Sequence, residues 1–403
     1  MTLIKPFAAL RPAAGRAADV VAPPYDVMNE AEARALVVGR PWSFLHISRP
    51  EVDLPAGTDP YSAEVYAMAA ENLARMRDES VLVQDERPAY YLYQLIMGEH
   101  TQTGIVAAAS VAAYQSGRIK KHEYTRPTKE DDRVRQIEAL KAQTGPVFLI
   151  YRGDATVDLL LAETVCQPPE VEVTAADGVI HRIWRVDRQA TIDGLSAAFE
   201  SMPALYVADG HHRSAAAARV AGGGDEERDY FLAVIFPHDQ VQILDYNRVV
   251  KDLNGQSEAQ FLAALQDAFE VEASAAAVRP RQAGEFGLYL PGRWFRLRIK
   301  DERIPADNPV QSLDVSLLAN ELLQPLLGIS DQRTDERIDF VGGIRGVEAL
   351  QQRVDSGEMA LAFALFPTGV EALLAVADAG EVMPPKSTWF EPKLADGLVS
   401  HLI

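Results

Sequence analysis

Cysteine is almost missing: Cys166 is the only one in 403 residues. A disulfide framework and a cysteine-rich metal centre are therefore both excluded. Cys166 lies in "AETVCQPPEVE" with no histidine near it in sequence, so it reads as an incidental or buried thiol rather than a nucleophile. Long apolar runs are also missing. None reaches the roughly 20 residues of a membrane span. The opening "MTLIKPFAALRPAAGRAADVVAPP" has Lys5 and Arg11 spread through it and lacks the charged-then-apolar order of a secretory signal. A cytoplasmic protein without a membrane partner is expected. Basic residues are in deficit, 39 Lys and Arg against 58 Asp and Glu, for a net charge of −19. Such a field repels a nucleic-acid backbone. Only "GRIKK" and "RWFRLRIK" approach a basic cluster, and the second alternates as a strand does. Nucleic acid is not an expected partner. A small anionic or phosphorylated ligand remains admissible, because a few amides and one arginine hold it locally. Internal repeats and low-complexity tails are absent.

What is present is an ordinary globular composition, 48% hydrophobic and 24% charged, on a chain long enough for two or three domains. Asn29, with Glu32 three positions on, predicts a capped helix to Val38. "DPYSAEVYAMAAENLARMRDE" predicts another, with Pro60 in its first turn and Tyr61, Val65, Met68, Ala69 and Leu73 on one face. "PAYYLYQLI" and "IVAAASVAAY" predict a hairpin around "MGEHTQTG". "TRPTKEDDRVRQIEALKAQTGP" predicts a helix started by Thr128 and Asp131 and stopped at Gly145 and Pro146. "VFLIYRG", "VIHRIWRVD", Tyr230 to Phe236 and Val241 to Val250 predict strands. The pattern then restarts with a helix over "SEAQFLAALQDAFEVE", a hairpin over "GLYLPGRWFRLRIK", a helix over "LDVSLLANELLQPLLG", and further helices and strands to the end. The expected class is α/β (α+β), with mixed β-sheets and packed helices. The expected domains are 1–265 and 266–403, with a seam near residues 252 to 285.

The richest chemistry sits in "ALYVADGHHRSAAAARVAGGG", residues 204–224. "ALYVA" reads as a short strand, Asp209 and Gly210 as a turn, and Ser214 onward as an alanine-rich helix ending at the glycines 222 to 224. A strand, a glycine turn and a helix start form an anion site, because the first helical amides lack intrahelical acceptors and the dipole favours negative charge. His211, His212 and Arg213 stand at that start. Arg213 can grip phosphate oxygens in pairs, and a histidine can donate to another oxygen or shuttle a proton. The structural alternative is a plain turn whose histidines are supporting or surface groups. Neighbouring helical residues point about 100° apart and the common zinc spacings are absent, so the His211–His212 pair does not read as a zinc site. The metal is left open.

Three other stretches carry candidates. In "VVAPPYDV", Pro23 and Pro24 stiffen a turn that presents Tyr25 and Asp26. Asp26 reads either as a metal ligand or general base, or as a cap on the next helix. In "KKHEYTRPTKEDDR", His122 and Glu123 form a possible acid/base pair, and Lys129 and Arg133, one turn apart, can face a phosphate. Glu130, Asp131 and Asp132 read as dipole-favouring first-turn residues. In "MPPKSTWFEPK", Lys386, Ser387 and Thr388 either close over a phosphate or belong to a surface loop anchored by Trp389 and Phe390. No Walker glycine pattern precedes them.

Taken in order, "APPYDV" (22–27), "HEYTRPTKEDDR" (122–133), "YVADGHHRSAAA" (206–217) and "MPPKSTWFEPK" (383–393) closely resemble the DUF1015 family over nearly the whole chain. That name carries no activity. More distantly, "DGHHRSAAA" resembles the phosphate-binding loop of the ParB and sulfiredoxin superfamily, which includes a free-serine kinase. The resemblance implies a core of that fold and a nucleotide, ATP or ADP with Mg²⁺, bound at Gly210 to Arg213. It also implies serine or phosphoserine as a substrate. Sulfiredoxin chemistry is not implied, since histidines stand where its cysteine would be. Three activities fit: a small-molecule phosphotransferase using Glu123 or Asp26 as proton acceptor, a phosphatase using a histidine such as His122 or His212, or a nucleotide-binding regulator without turnover.

Overall fold

The structure, a computed structural model, describes residues 2–222, 224, 227–305 and 307–403. Gly223, within the glycine run expected to end a helix, lies outside them. The chain forms two compact units, residues 1–241 with 392–403, and residues 242–391.

The first unit is built on a nine-stranded mixed sheet. In chain order its strands are β1 (Ile4–Lys5), β2 (Tyr90–Met97), β3 (His100–Ser110), β4 (Ile119–Lys120), β5 (Val147–Tyr151), β6 (Val171–Thr174), β7 (Ile180–Val186), β8 (Leu205–Asp209) and β9 (Tyr230–Pro237). Across the sheet they run β4-β8-β5-β9-β3-β2-β7-β6, with β1 also on β3. The long apolar strands β2, β3, β5 and β9 are buried in the middle, as continuous runs of Val, Ile, Leu and Tyr require. β9 runs parallel to β5 and antiparallel to β3. Gly104 of β3 keeps that packing close: a Cβ there would meet the Phe236 ring at 2.8 Å.

Four helices frame the site: α1 (Glu30–Val37), α2 (Ala63–Asp78), α3 (Pro127–Leu140) and α4 (His211–Val220). α3 packs on both α2 and α4. The last residues return to this unit. His401–Leu402 pairs with Ala142–Gln143, and the backbones of Ala22 and Asp396 bridge each other.

The second unit holds a six-stranded antiparallel sheet of β10 (Tyr246–Val250), β11 (Phe269–Ser274), β12 (Glu285–Leu290), β13 (Arg293–Ile299), β14 (Ile338–Gly342) and β15 (Leu361–Leu365), in the order β11-β13-β12-β15-β10-β14. The mixed α/β architecture is thus the expected one.

Several boundaries differ from the sequence expectation, each for a local reason. α2 starts at Ala63 after Ser62, so Pro60 precedes the helix. β3 stops at Ser110, whose hydroxyl accepts from the Ala113 amide and opens a short helix over "VAAYQ". α3 has Pro127 in its first turn and no side-chain cap, so Thr128 and Asp131 do not start it; it stops at Lys141, in the left-handed region, before Gly145. Val241 to Val250 divides at Asp245, because Gln242–Leu244 pairs with Trp389–Glu391 while β10 pairs with β14 and β15. The helix in "SEAQFLAALQDAFEVE" ends at Leu265, and "FEVEAS" alternates as strand β11.

Candidate functional site

β8 delivers the chain to the turn. Leu205 to Ala208 are buried, and the register against β5 slips between Val207 and Asp209. A bulge of this kind redirects the residues after it. Gly210 then takes φ +95°, and an added Cβ would meet the Cα of Val147 at 3.3 Å. Both features call for glycine. α4 begins at once, so His211, His212 and Arg213 are its first three residues rather than a lead-in to a helix at Ser214. The amides of Arg213 and Ser214 donate to the Gly210 carbonyl at 2.9 and 3.0 Å. Those of His211 and His212 precede any intrahelical acceptor, at the positive end of the helix dipole.

Arg213 turns inward past Gly145, where a Cβ would lie 3.3 Å from its Cδ. Its guanidinium donates to the Pro146 carbonyl and, at 3.4 Å, to Asp26 Oδ2. That leaves the rest of its five donors uncommitted among the described residues. The Asp26 side chain is 42% exposed, so the paired carboxylate is one at the mouth of the site. Asp26 is not the cap of the next helix; Asn29 is, in a reciprocal capping box with Glu32.

A cavity lies beside this pair, lined by Tyr25, Ser48, Arg133, Gly145, Arg213 and Asp396. Arg133 stacks over the Tyr25 ring, 4.0 Å from its centre, and bonds Asp132 through two nitrogens at 2.7 and 3.0 Å. Asp132 is therefore a buried partner, also accepting from Tyr66 at 2.9 Å, and not a solvated first-turn residue. Asp131 and Glu130 pair with Arg219. Lys129 points elsewhere, donating to Tyr61 at 3.0 Å. The structure thus separates Lys129 from Arg133 and brings Arg133 to Arg213.

On the other flank, His211 and His122 stack edge to face with ring centres 4.5 Å apart. Glu123 Oε2 lies 3.9 Å from His211 Nδ1, so the imidazole facing this carboxylate belongs to His211. Burial lowers the His122 pKa to about 4. Burial, reinforced by His122, also holds His211 well below its ordinary value. Both rings are neutral at pH 7. His212 Nε2 accepts from the Arg126 amide at 3.0 Å. Burial lowers its pKa too, which suits an acceptor, and the contact pins the 122–126 loop to the helix.

Asp209 ends β8 against Lys393, whose ammonium donates to it at 3.0 Å. Burial opposes the Asp209 charge, but Lys393 and then Arg213 outweigh it and hold the carboxyl far below the usual range. Burial pushes the Asp396 carboxyl the other way, up to about 7. Lys393 and Asp396 are site residues that sequence reasoning missed, although Lys393 is the last letter of "MPPKSTWFEPK". Lys386 and Ser387 belong to the second unit. There Ser387 donates to the Pro384 carbonyl at 2.6 Å, Arg248 donates to the Lys386 carbonyl at 3.0 Å, and the Lys386 ammonium lies over Tyr246.

Cys166 is exposed, and among the described residues no helix is long and apolar enough to cross a membrane.

No curated protein matches the chain. Among solved structures it is similar to a free serine kinase in complex with AMP, at 13% identity and TM-score 0.37 over 73% of this chain and 92% of that one. It is similar to SbnI with a C-terminal truncation from Staphylococcus aureus, at 11% identity and TM-score 0.38 over 72% and 84%. It is also similar to a conserved hypothetical protein from Pyrococcus furiosus, at 14% identity and TM-score 0.35 over 73% and 94%. The model of a family described as protein of unknown function, DUF1015, matches residues 4–316, and the chain belongs to that family.

Proposed function

We propose that this protein is a small-molecule phosphotransferase that holds the phosphates of ATP or ADP at the Gly210–Arg213 turn. The observation that carries the reading is a left-handed glycine at the start of α4 with the Arg213 guanidinium beside it, Cζ lying 3.6 Å from where a Gly210 Cβ would be, and Arg213 and Arg133 lining one cavity. Amides and arginine forks are the groups that grip phosphoryl oxygens. The molecule's anionic field does not prevent this, since surface charges are screened beyond about 8 Å at physiological salt.

Phosphoryl transfer depends on placing the donor and neutralising its charge. Here the turn and Arg213 would hold the phosphates, and a carboxylate bordering the turn, Asp26 or Glu123, would take the acceptor's hydroxyl proton. The P–O bond to the leaving nucleotide, ADP from ATP or AMP from ADP, breaks as the acceptor oxygen bonds phosphorus. The motif resemblance points to a serine-type hydroxyl. Mg²⁺ takes oxygen ligands. Asp26 fits that requirement: one oxygen faces Arg213 and the side chain is 42% exposed, so Asp26 with phosphate oxygens would hold the ion, which would supply charge neutralisation.

The test is calorimetric titration of the full chain with ATP and ADP, followed by assay with serine of ADP release from ATP and of AMP release from ADP. Arg213→Ala removes a charge-assisted contact of about 1.5–3 kcal/mol, so affinity is expected to fall about 10- to 100-fold. Equal affinity in both proteins removes Arg213 from the site. Absence of nucleotide binding by the wild type ends the reading. Binding without product identifies the non-catalytic regulator instead.

A further inference from the structure

His122, Glu123 and His211 place one donor atom each within 4.8 Å of one another. Among the described residues they are the one such group of histidine, cysteine and carboxylate side chains. The two imidazoles are buried, at 2% and 4% relative exposure. Among the described residues, neither ring nitrogen of His122 nor Nε2 of His211 has a hydrogen bond of good geometry, the one backbone contact of His122 being a weak one to Val207. Buried polar nitrogens left without partners are uncommon and call for an explanation. We propose that these three residues bind a divalent first-row transition ion such as Zn²⁺, Mn²⁺ or Co²⁺.

The donor set decides the class of ion. Two neutral imidazoles and one carboxylate suit Zn²⁺ and its neighbours in the row, whereas Mg²⁺ and Ca²⁺ prefer oxygen alone. Both imidazoles present buried ring nitrogens, and imidazole ligates through a neutral ring nitrogen. The Glu123 side chain is 48% exposed, with Oε2 already 3.9 Å from His211 Nδ1, and ligation would bring each donor to about 2.0–2.2 Å from the ion. Three protein ligands leave a coordination position open. The chain arrives there by tertiary folding: His122 and Glu123 follow β4, His211 follows β8, and these two strands are parallel neighbours. His212 is not part of the set, so the divergence of adjacent helical side chains, which disfavours a zinc site on His211 and His212, places no restriction on it. The assignment stands without the nucleotide reading. Its consequence for that reading is that Glu123, committed to the transition ion, no longer serves as the proton acceptor.

The experiment uses the metal-stripped full chain titrated with Co²⁺ alone, followed by visible absorption, and with Zn²⁺ by calorimetry. One ion per chain is expected. Glu123→Gln, at a half-exposed position that leaves the core untouched, is expected to weaken binding at least tenfold. His122→Ala is expected to abolish both the Co²⁺ spectrum and the rise in melting temperature that Zn²⁺ gives the wild type. Failure of the wild type to bind Co²⁺ or Zn²⁺ overturns the proposal, and so does Glu123→Gln binding within threefold of the wild type. ATP titration of the same samples without added transition metal reports on the turn separately, so either reading can fail alone.

Discussion

Gly210 concentrates the site's demands on one residue. Its φ of +95° and the 3.3 Å approach to Val147 act together, whereas Gly57, at φ +83°, has nothing within 4 Å of a Cβ. Replacing Gly57 by Ala should cost only backbone strain, about 1–2 kcal/mol. Gly210→Ala should cost the same strain plus the displacement of Val147, and under the proposed function should also weaken nucleotide binding. Urea denaturation of both variants checks the first expectation, and equal losses would mean that β5 yields freely. At this scale the sequence was legible where neighbours in the chain are neighbours in space. The motif from Asp209 to Arg213 contains the turn and its arginine. The partners of those residues were not legible: Asp26 is 187 residues from Arg213, and Lys393 is 184 from Asp209.

Among the elements, helices with local signals fell where expected and those with competing signals did not. Asn29 and Glu32 form their capping box because both halves lie within one turn. Asn29→Ala should destabilise the first unit by about 1 kcal/mol, read as a shift in the chemical denaturation midpoint at unchanged slope; no shift would mean that α1 frays independently of the unit. In α3, Thr128 lost to Pro127, whose fixed φ sets the first turn without a cap. α4 started three residues early, because the bulge and Gly210 complete the reversal and His211 is already helical. A strand-to-helix turn of one residue cannot be inferred from propensity when the deciding factor is the register slip in β8.

For the whole molecule, the segment 392–403 is the consequential feature. It belongs to the first unit, buries Leu394, Leu398 and Val399, and supplies Lys393 and Asp396. Asp396 gives a pH signature. Its folded pKa, up to about 7 through burial, lies above the unfolded value of about 3.9. Between those values the native state holds a proton that the unfolded chain has released. Its stabilising contribution is therefore complete below about pH 4 and lost as pH rises through 7. Asp396→Asn removes that dependence. Relative to wild type the variant should gain about 1.4 kcal/mol per pH unit across the window, about 4 kcal/mol at most. Denaturation at pH 5 and pH 8 measures it, and an identical difference at both would mean that Asp396 is ionised in the fold throughout.

The sequence alone determined the class of architecture, most of the strands and capped helices, and the turn at Gly210, because hydrophobic period, capping and glycine turns act over a few residues. Tertiary structure alone decided which side chains meet: Asp26 with Arg213, His122 with His211, Arg133 facing the same cavity as Arg213, and Lys393 on Asp209. Those meetings depend on strand order and on the return of the final residues, and long-range sheet pairing leaves no signature in the local pattern of any one segment.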